Sequence, residues 1–275
     1  RGNIGEVGIT PNDGLRYMLS TSLMKLSPDR EKVGPLYLMY FFKSSLGRAA
    51  LLMNTSQVGT PGIATPLKSL RSIQLPLPPL TVQVQVSDTL SKLDDRISLL
   101  RQTNTTLESI AQALFKSWFI DFDPVKAKAE GREPEGMDAE TAALFPDEFE
   151  ESTLGLIPKG WDVRPIGELV EAVGGSTPDT KNSNFWEPAI HNWTSPKDLS
   201  GATAPVLLTT ERKVSEAGLA KISSGLLAPG TLLMSSRAPI GYLSLSQIPV
   251  AINQGYIGIE PGGQLPPLYL YFWCQ

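Results

Sequence analysis

The sequence predicts a mixed α/β (α+β) chain in which two globular units are joined by a long coiled-coil-type helix. Three observations carry that expectation: an unbroken heptad pattern in the middle, proline- and glycine-punctuated strand patterns on both sides, and an internal repeat relating the two ends. The heptad pattern runs Val86, Leu90, Leu93, Ile97, Leu100, Asn104, Leu107, Ala111, Leu114, Trp118. Its steps alternate four and three residues, the mark of a helix with a narrow apolar seam for a partner helix. Val86, Leu93, Leu100, Leu107 and Leu114 form the d row; Leu90, Ile97, Asn104, Ala111 and Trp118 form the a row. No Gly or Pro lies between Thr81 and Asp123, so a rod of roughly 60 Å is expected over Thr81–Phe119. Asn104, polar within the seam, is the residue suited to fix register.

At 275 residues the chain is long enough for two domains, and 41% apolar with 19% charged residues is an ordinary globular composition. The single cysteine, Cys274, excludes a disulfide framework and a cysteine zinc site. A reducing, cytoplasmic setting is expected, since there is no apolar run of transmembrane length and no signal peptide. Arg1 in place of Met suggests a piece of a longer chain. The net charge of −4 is unevenly spread: residues 1–80 hold nine basic against four acidic residues, whereas 121–155 hold three against eleven. The N-terminal part is therefore basic enough to face phosphate.

In order along the chain, residues 1–28 read as short strands, with a turn at Pro11–Gly14 and a strand-like stretch at Tyr17–Leu26. A short helix is expected after Pro35, then a Gly/Thr/Ser/Pro loop over 54–66. Pro76-Leu-Pro-Pro79 is stiff and closes the first unit. The expected boundaries are 1–80 for the first unit, 81–120 for the helix, 121–158 for an acidic linker and 159–275 for the second unit. The linker carries a short helix near Ala139–Leu144. In the second unit strands are expected at Val206–Leu208, Thr231–Met234 and Tyr242–Leu245.

The ends repeat each other. Arg1-Gly-Asn-Ile-Gly5 matches Arg237-Ala-Pro-Ile-Gly241, and Pro35-Leu-Tyr-Leu38 matches Pro267-Leu-Tyr-Leu270, in the same order. Tyr17–Leu26 then corresponds to Val250–Ile259. Each unit is expected to be partial: the first should lack its beginning and the second its end, with a second long helix to follow.

Several stretches resemble the DNA-specificity (S) subunit of type I restriction–modification enzymes. They are Leu75-Pro-Leu-Pro-Pro-Leu-Thr-Val-Gln83 leading into the helix, Ala113-Leu-Phe-Lys-Ser-Trp-Phe-Ile-Asp-Phe-Asp-Pro-Val125, Ile157-Pro-Lys-Gly-Trp161 with Gly174-Gly-Ser-Thr-Pro178, and Ser235-Ser-Arg-Ala-Pro-Ile-Gly241 with Ala251-Ile-Asn-Gln-Gly255. The resemblance spans essentially the whole chain. It implies two target-recognition domains reading a bipartite site on double-stranded DNA, separated by antiparallel helices. It also implies docked methylation subunits that bring S-adenosylmethionine, a restriction subunit in the full complex, and no catalysis by the S subunit itself. Arg237-Ala238-Pro239 departs from the family's glycine after arginine, so that turn is expected to differ from the one at Arg1-Gly2.

The residue inventory agrees with a non-catalytic chain. His191 is the sole histidine, and no phosphate-binding glycine loop is present. DNA reading needs amides and guanidinium groups on loops, with basic and hydroxyl groups for phosphate. The candidates are Arg1, Arg16, Ser20, Thr21, Ser22 and Lys68 in the first unit. In the second they are Ser176, Thr177, Lys181, Asn192, Lys197, Ser236, Arg237, Asn253 and Gln254. Asn253 and Gln254 could equally bond the backbone at a strand edge, and Trp186 and Trp193 read as core before base-stacking residues. The helix-packing seam is Leu90, Leu93, Ile97, Leu100, Asn104, Leu107 and Leu114, expected to be partly exposed or covered by self-association. A coiled-coil adaptor without DNA contact, and a carbohydrate- or peptide-binding module, remain rival classes.

Overall fold

The computed structural model describes residues 4–20, 23–53, 55–56, 62–63, 65–200, 205–237, 239–261 and 264–275. The chain divides into two compact units, 1–100 and 101–275, with the division inside one long helix.

In the first unit the described residues before Val33 form neither strand nor helix. The strands expected over 1–28 are absent from them, and Leu15, Met18 and Leu23 stand exposed. A strand needs an edge to pair with. The matching stretch Val250–Ile259 pairs with β6 through Ala251–Ile252 and with β5 and β9 through Tyr256–Ile259. The first helix is α1 (Pro35–Lys43), begun by Pro35 as expected. It is followed at once by α2 (Ser45–Leu52), where the Ser44 hydroxyl caps the Gly47 N–H at 3.2 Å. A short antiparallel pair, β1 (Thr55–Ser56) with β2 (Gly62–Ile63), and α3 (Pro66–Arg71) follow. The proline cluster is extended, and α4 (Leu80–Phe115) starts right behind Pro79. In this unit α4 buries Gln83 and Ser87, and the Tyr40 hydroxyl of α1 donates to the Asp94 carboxylate of α4 at 3.0 Å.

In the second unit the helix continues through a π-helical turn, Lys116–Ile120. The segment read as a linker is folded. It holds α5 (Asp123–Ala129), α6 (Ala139–Ala143) capped by Asp138, and a hairpin of β3 (Phe149–Ser152) and β4 (Gly155–Pro158). Gly155, at φ +97°, and the Ser152 hydroxyl bonded to the Gly155 carbonyl at 2.7 Å close the turn. Phe115, Phe119, Phe145, Trp161 and Tyr269 form an aromatic cluster with neighbouring centroids 5.1 to 6.4 Å apart.

The remaining elements are β5 (Ala172–Gly174), β6 (His191–Thr194), α7 (Pro196–Leu199), β7 (Val206–Leu207), β8 (Arg212–Val214), α8 (Glu216–Leu219), β9 (Leu232–Ser235), β10 (Leu243–Ser246), β11 (Ala251–Ile252), β12 (Tyr256–Ile259) and α9 (Pro267–Cys274). A five-stranded sheet runs β5-β12-β9-β10-β7, with the β10/β7 pair parallel and the rest antiparallel. A three-stranded sheet runs β11-β6-β8. Alternation along β9 splits the core. Leu232 joins Leu245, Ile259, Leu270 and Tyr271 under α9, whereas Leu233 joins Leu227, Val250, Ile252 and Tyr256 on the opposite face. Matched points of the repeat share geometry: Pro35 and Pro267 each begin a helix, and Gly5 and Gly241 each sit at positive φ, +78° and +90°.

Among the described residues no helix is long and apolar enough to cross a membrane, and no group of His, Cys, Asp or Glu is arranged to hold a metal ion.

Candidate nucleic-acid interface

One end of the five-stranded sheet gathers candidate residues from three loops. The loop after β5 carries Ser176 and Thr177, the loop after β9 carries Ser236 and Arg237, and the loop between β11 and β12 carries Asn253 and Gln254. The start of α7 joins them through Pro196, whose ring packs close to Gly255. The junction is tight at Gly175: a Cβ there would lie 1.9 Å from the Ile252 carbonyl oxygen. That closeness lets the Ser176 N–H reach the same oxygen at 3.1 Å. Across the loops the Ser236 N–H bonds the Gly255 carbonyl at 2.8 Å.

The side chains at this end play different parts. The Thr177 hydroxyl donates to the Gln254 amide oxygen, which orients the amide and leaves its NH2 as a donor. Arg237 is exposed. Ser176 is committed to structure, its hydroxyl donating to the Lys221 carbonyl at 3.0 Å and accepting the Ser223 N–H at 3.0 Å. Asn253 caps its own turn, its amide oxygen accepting the Gly255 N–H at 2.9 Å. Lys197 is exposed but already paired with Glu211 at 2.7 Å.

Two candidates of this unit are placed otherwise. Asn192 donates to the Pro249 carbonyl at 3.1 Å, within the three-stranded sheet's surroundings. Lys181 sits on the turn closed by Asp179, away from the junction's hydrogen bonds. Trp193 is buried and Trp186 packs against it at 88°, with the Arg212 guanidinium 3.5 Å over the Trp186 ring. These indoles serve the core. Lys221 and Ser223, which hold Ser176, and Glu211, which neutralises Lys197, were not among the candidates. They come from distant sequence and carry no motif.

In the first unit Arg16 and Ser20 lie in exposed coil and Lys68 in α3, and no described contact joins them. Arg1, Thr21 and Ser22 lie outside the described residues. The seam of α4 is open: Leu93, Leu100 and Leu107 are 53%, 53% and 58% exposed, Ile97, Asn104 and Leu114 are also exposed, and Leu90 is half-buried. The helix residues buried in the first unit, Gln83 and Ser87, and in the second, Phe115, lie off the d row.

The family model of the type I restriction modification DNA specificity domain matches residues 1–109 and 158–275. The chain belongs to that family. It is 29% identical over 316 residues to the HindI specificity subunit of Haemophilus influenzae, covering 97% of this chain and 66% of that protein. It is 39% identical over 125 residues to the MjaIX specificity subunit of Methanocaldococcus jannaschii, covering 46% and 29%. The chain thus spans only part of the length of these relatives. Among solved structures, the S subunit from M. genitalium aligns at 14% identity and a TM-score of 0.44, over 90% of this chain and 54% of that one. The HsdS subunit from Thermoanaerobacter tengcongensis aligns at 19% and 0.34, over 90% and 53%.

Proposed function

We propose that this chain gives sequence specificity to a type I restriction–modification assembly by reading double-stranded DNA. The observation that carries the reading is the family match across both units, together with the polar end of the five-stranded sheet. There an oriented amide, Gln254, and an exposed guanidinium, Arg237, stand on loops held rigid by backbone bonding. Amide and guanidinium groups on a rigid frame are what base edges in the major groove require.

The target in this reading is bipartite, one half for each unit. The exposed d row of α4 receives a second helix, from the same kind of chain or from a second copy. Methylation subunits dock on the helical framework and bring S-adenosylmethionine, the restriction subunit joins the full complex, and this chain performs no chemistry itself. The test is selection from a randomised duplex pool by the chain reconstituted with methylation subunits. Enrichment of two short blocks at a fixed spacing is expected. If no sequence is enriched, the chain is a helical adaptor and the DNA reading fails.

A further inference from the structure

Between the two family-matched stretches lies a surface that the DNA reading does not use. It is a cleft of about 380 Å³ lined by Ile120, Asp121, Phe122, Lys126, Phe149 and Leu156. It forms where the π-helical turn Lys116–Ile120 meets the β3–β4 hairpin. Phe122 there takes a left-handed conformation, φ +57° and ψ +33°, which a bulky side chain rarely adopts. Its ring is held by Trp161 and Phe149, with centroids at 5.7 and 6.3 Å. Backbone strain of this kind, next to a π-helical turn, is characteristic of working surfaces.

The cleft's rim is apolar, and its lining cation, Lys126, is already paired with Asp123 at 3.6 Å. Leu156 is 59% exposed and Ile120 52%. The register pairs Glu151 directly with Leu156, so period-two alternation sets Phe149, Glu151, Leu156 and Pro158 on one face of the hairpin. Other acids nearby are occupied: Glu148 pairs with Lys159, Glu150 accepts the Gly160 N–H at 2.9 Å, and Asp121 pairs with Lys116. Among the described residues Glu151 has no ion-pair partner. Around it, residues 121–155 carry eleven acidic against three basic side chains.

We infer that this cleft docks an extended segment of another protein, which inserts one aliphatic side chain between Ile120 and Leu156 and sets a Lys or Arg against Glu151. The charge decides between occupants. The same face of a second copy would bring two strongly acidic segments together, and DNA would meet the same repulsion, whereas a basic segment is attracted. Among the described residues the hairpin has no strand partner beyond its own pair, so it can shift slightly to admit the side chain.

Methyl NMR of the 275-residue chain labelled at Ile and Leu tests this. The probes are the blocked peptides Ser-Lys-Leu-Lys-Ser, Ser-Glu-Leu-Glu-Ser and Ser-Lys-Ser-Lys-Ser. The first should shift the Ile120 and Leu156 methyls saturably, at least tenfold more tightly than either of the others, and less so as salt rises. Glu151→Lys and Leu156→Ser should each weaken it at least tenfold while the other methyl signals stay in place. No saturable shift at these methyls, an equal response to the acidic peptide, or shifts that follow protein concentration without peptide would overturn the inference.

Discussion

The side-chain amide oxygen of Gln83 accepts the backbone N–H of Gly34 at 2.9 Å, while its nitrogen donates to the carbonyls of Lys32 at 3.0 Å and Pro78 at 2.8 Å. One buried amide thus ties the start of α4 to the chain entering α1 and to the proline cluster. Removing it strands the Gly34 N–H and two carbonyls. Gln83→Ala should cost about 2–3 kcal/mol, read as a lower urea midpoint at unchanged slope. Ser87 lies one turn on, its hydroxyl bonded to the Gln83 carbonyl. Ser87→Ala removes an intrahelical bond without stranding a partner, so it should cost well under half as much.

The heptad helix was legible because its signal is local: a 3.5-residue period and a proline stop at Pro79 need no knowledge of the rest. The described residues of Tyr17–Leu26, which form no strand, show the converse. A strand is decided by its partner edge, which sequence alone does not display. The hairpin Phe149–Pro158 was hidden by Glu150 and Glu151, whose charge reads as loop, although Ser152-Thr-Leu-Gly155 is a turn signal. At the candidate site, residue type drew attention to Thr177 and Gln254, and the fold brings the two into hydrogen-bond contact. It was blind to the pairing of Lys197 with Glu211 and to the bond from Asn192 to Pro249, because both partners are remote in sequence.

Gly175 and Gly174 offer a paired test of the junction. A Cβ at Gly175 would collide with the Ile252 carbonyl at 1.9 Å, while one at Gly174 meets nothing within 4 Å. Gly175→Ala should destabilise the second unit by about 2 kcal/mol or more and pull Thr177 from Gln254. Gly174→Ala should change stability by under about 1 kcal/mol. Thermal unfolding with amide chemical shifts of residues 175–177 and 253–255 checks both.

The Tyr271 hydroxyl donates to the Glu108 carboxylate at 2.6 Å. Burial first, then this hydrogen bond and the Glu108 charge, raise its phenol well above the ordinary 10.0. The Tyr256 phenol is raised as well, chiefly by burial, and donates to the Ser195 carbonyl at 2.9 Å. A raised folded-state value means the folded chain holds its proton longer than the unfolded chain. That stability is complete below pH 10 and drains away as pH rises above it. Denaturant midpoints between pH 8 and 11 should fall for the parent chain and fall less for Tyr271→Phe. At pH 7 the same variant should lose about 1.5–3 kcal/mol, the worth of a hydrogen bond to a charged group.

Arg237 and Lys197 separate an available charge from a neutralised one. Arg237 is exposed at the loop after β9, while Lys197 is paired with Glu211 at 2.7 Å. On the proposed function, Arg237→Ala in the reconstituted complex should cost about 1–3 kcal/mol of DNA affinity. Lys197→Ala should cost less than about 0.5 kcal/mol, because Glu211 already neutralises its charge and an exposed ion pair is worth little. Titration of the selected duplex at fixed salt measures both. Equal effects would mean that the sheet end does not present Arg237 to DNA.

The seam makes the last prediction. Leu93, Leu100 and Leu107 present a row of leucines one heptad apart that the chain's own packing does not cover. Apolar area of that kind stabilises only when something is laid on it. Leu100→Asp should therefore leave the chain's own unfolding midpoint nearly unchanged, since no buried contact is lost. It should abolish any concentration-dependent self-association seen by sedimentation. Phe115→Ala is the contrast: its ring is buried against Tyr269 and Phe272, at 5.1 and 5.9 Å. That change should cost about 3–5 kcal/mol of stability and affect self-association only through unfolding. Leu100→Asp lowering stability as much as Phe115→Ala would show that the d row is already packed within the chain.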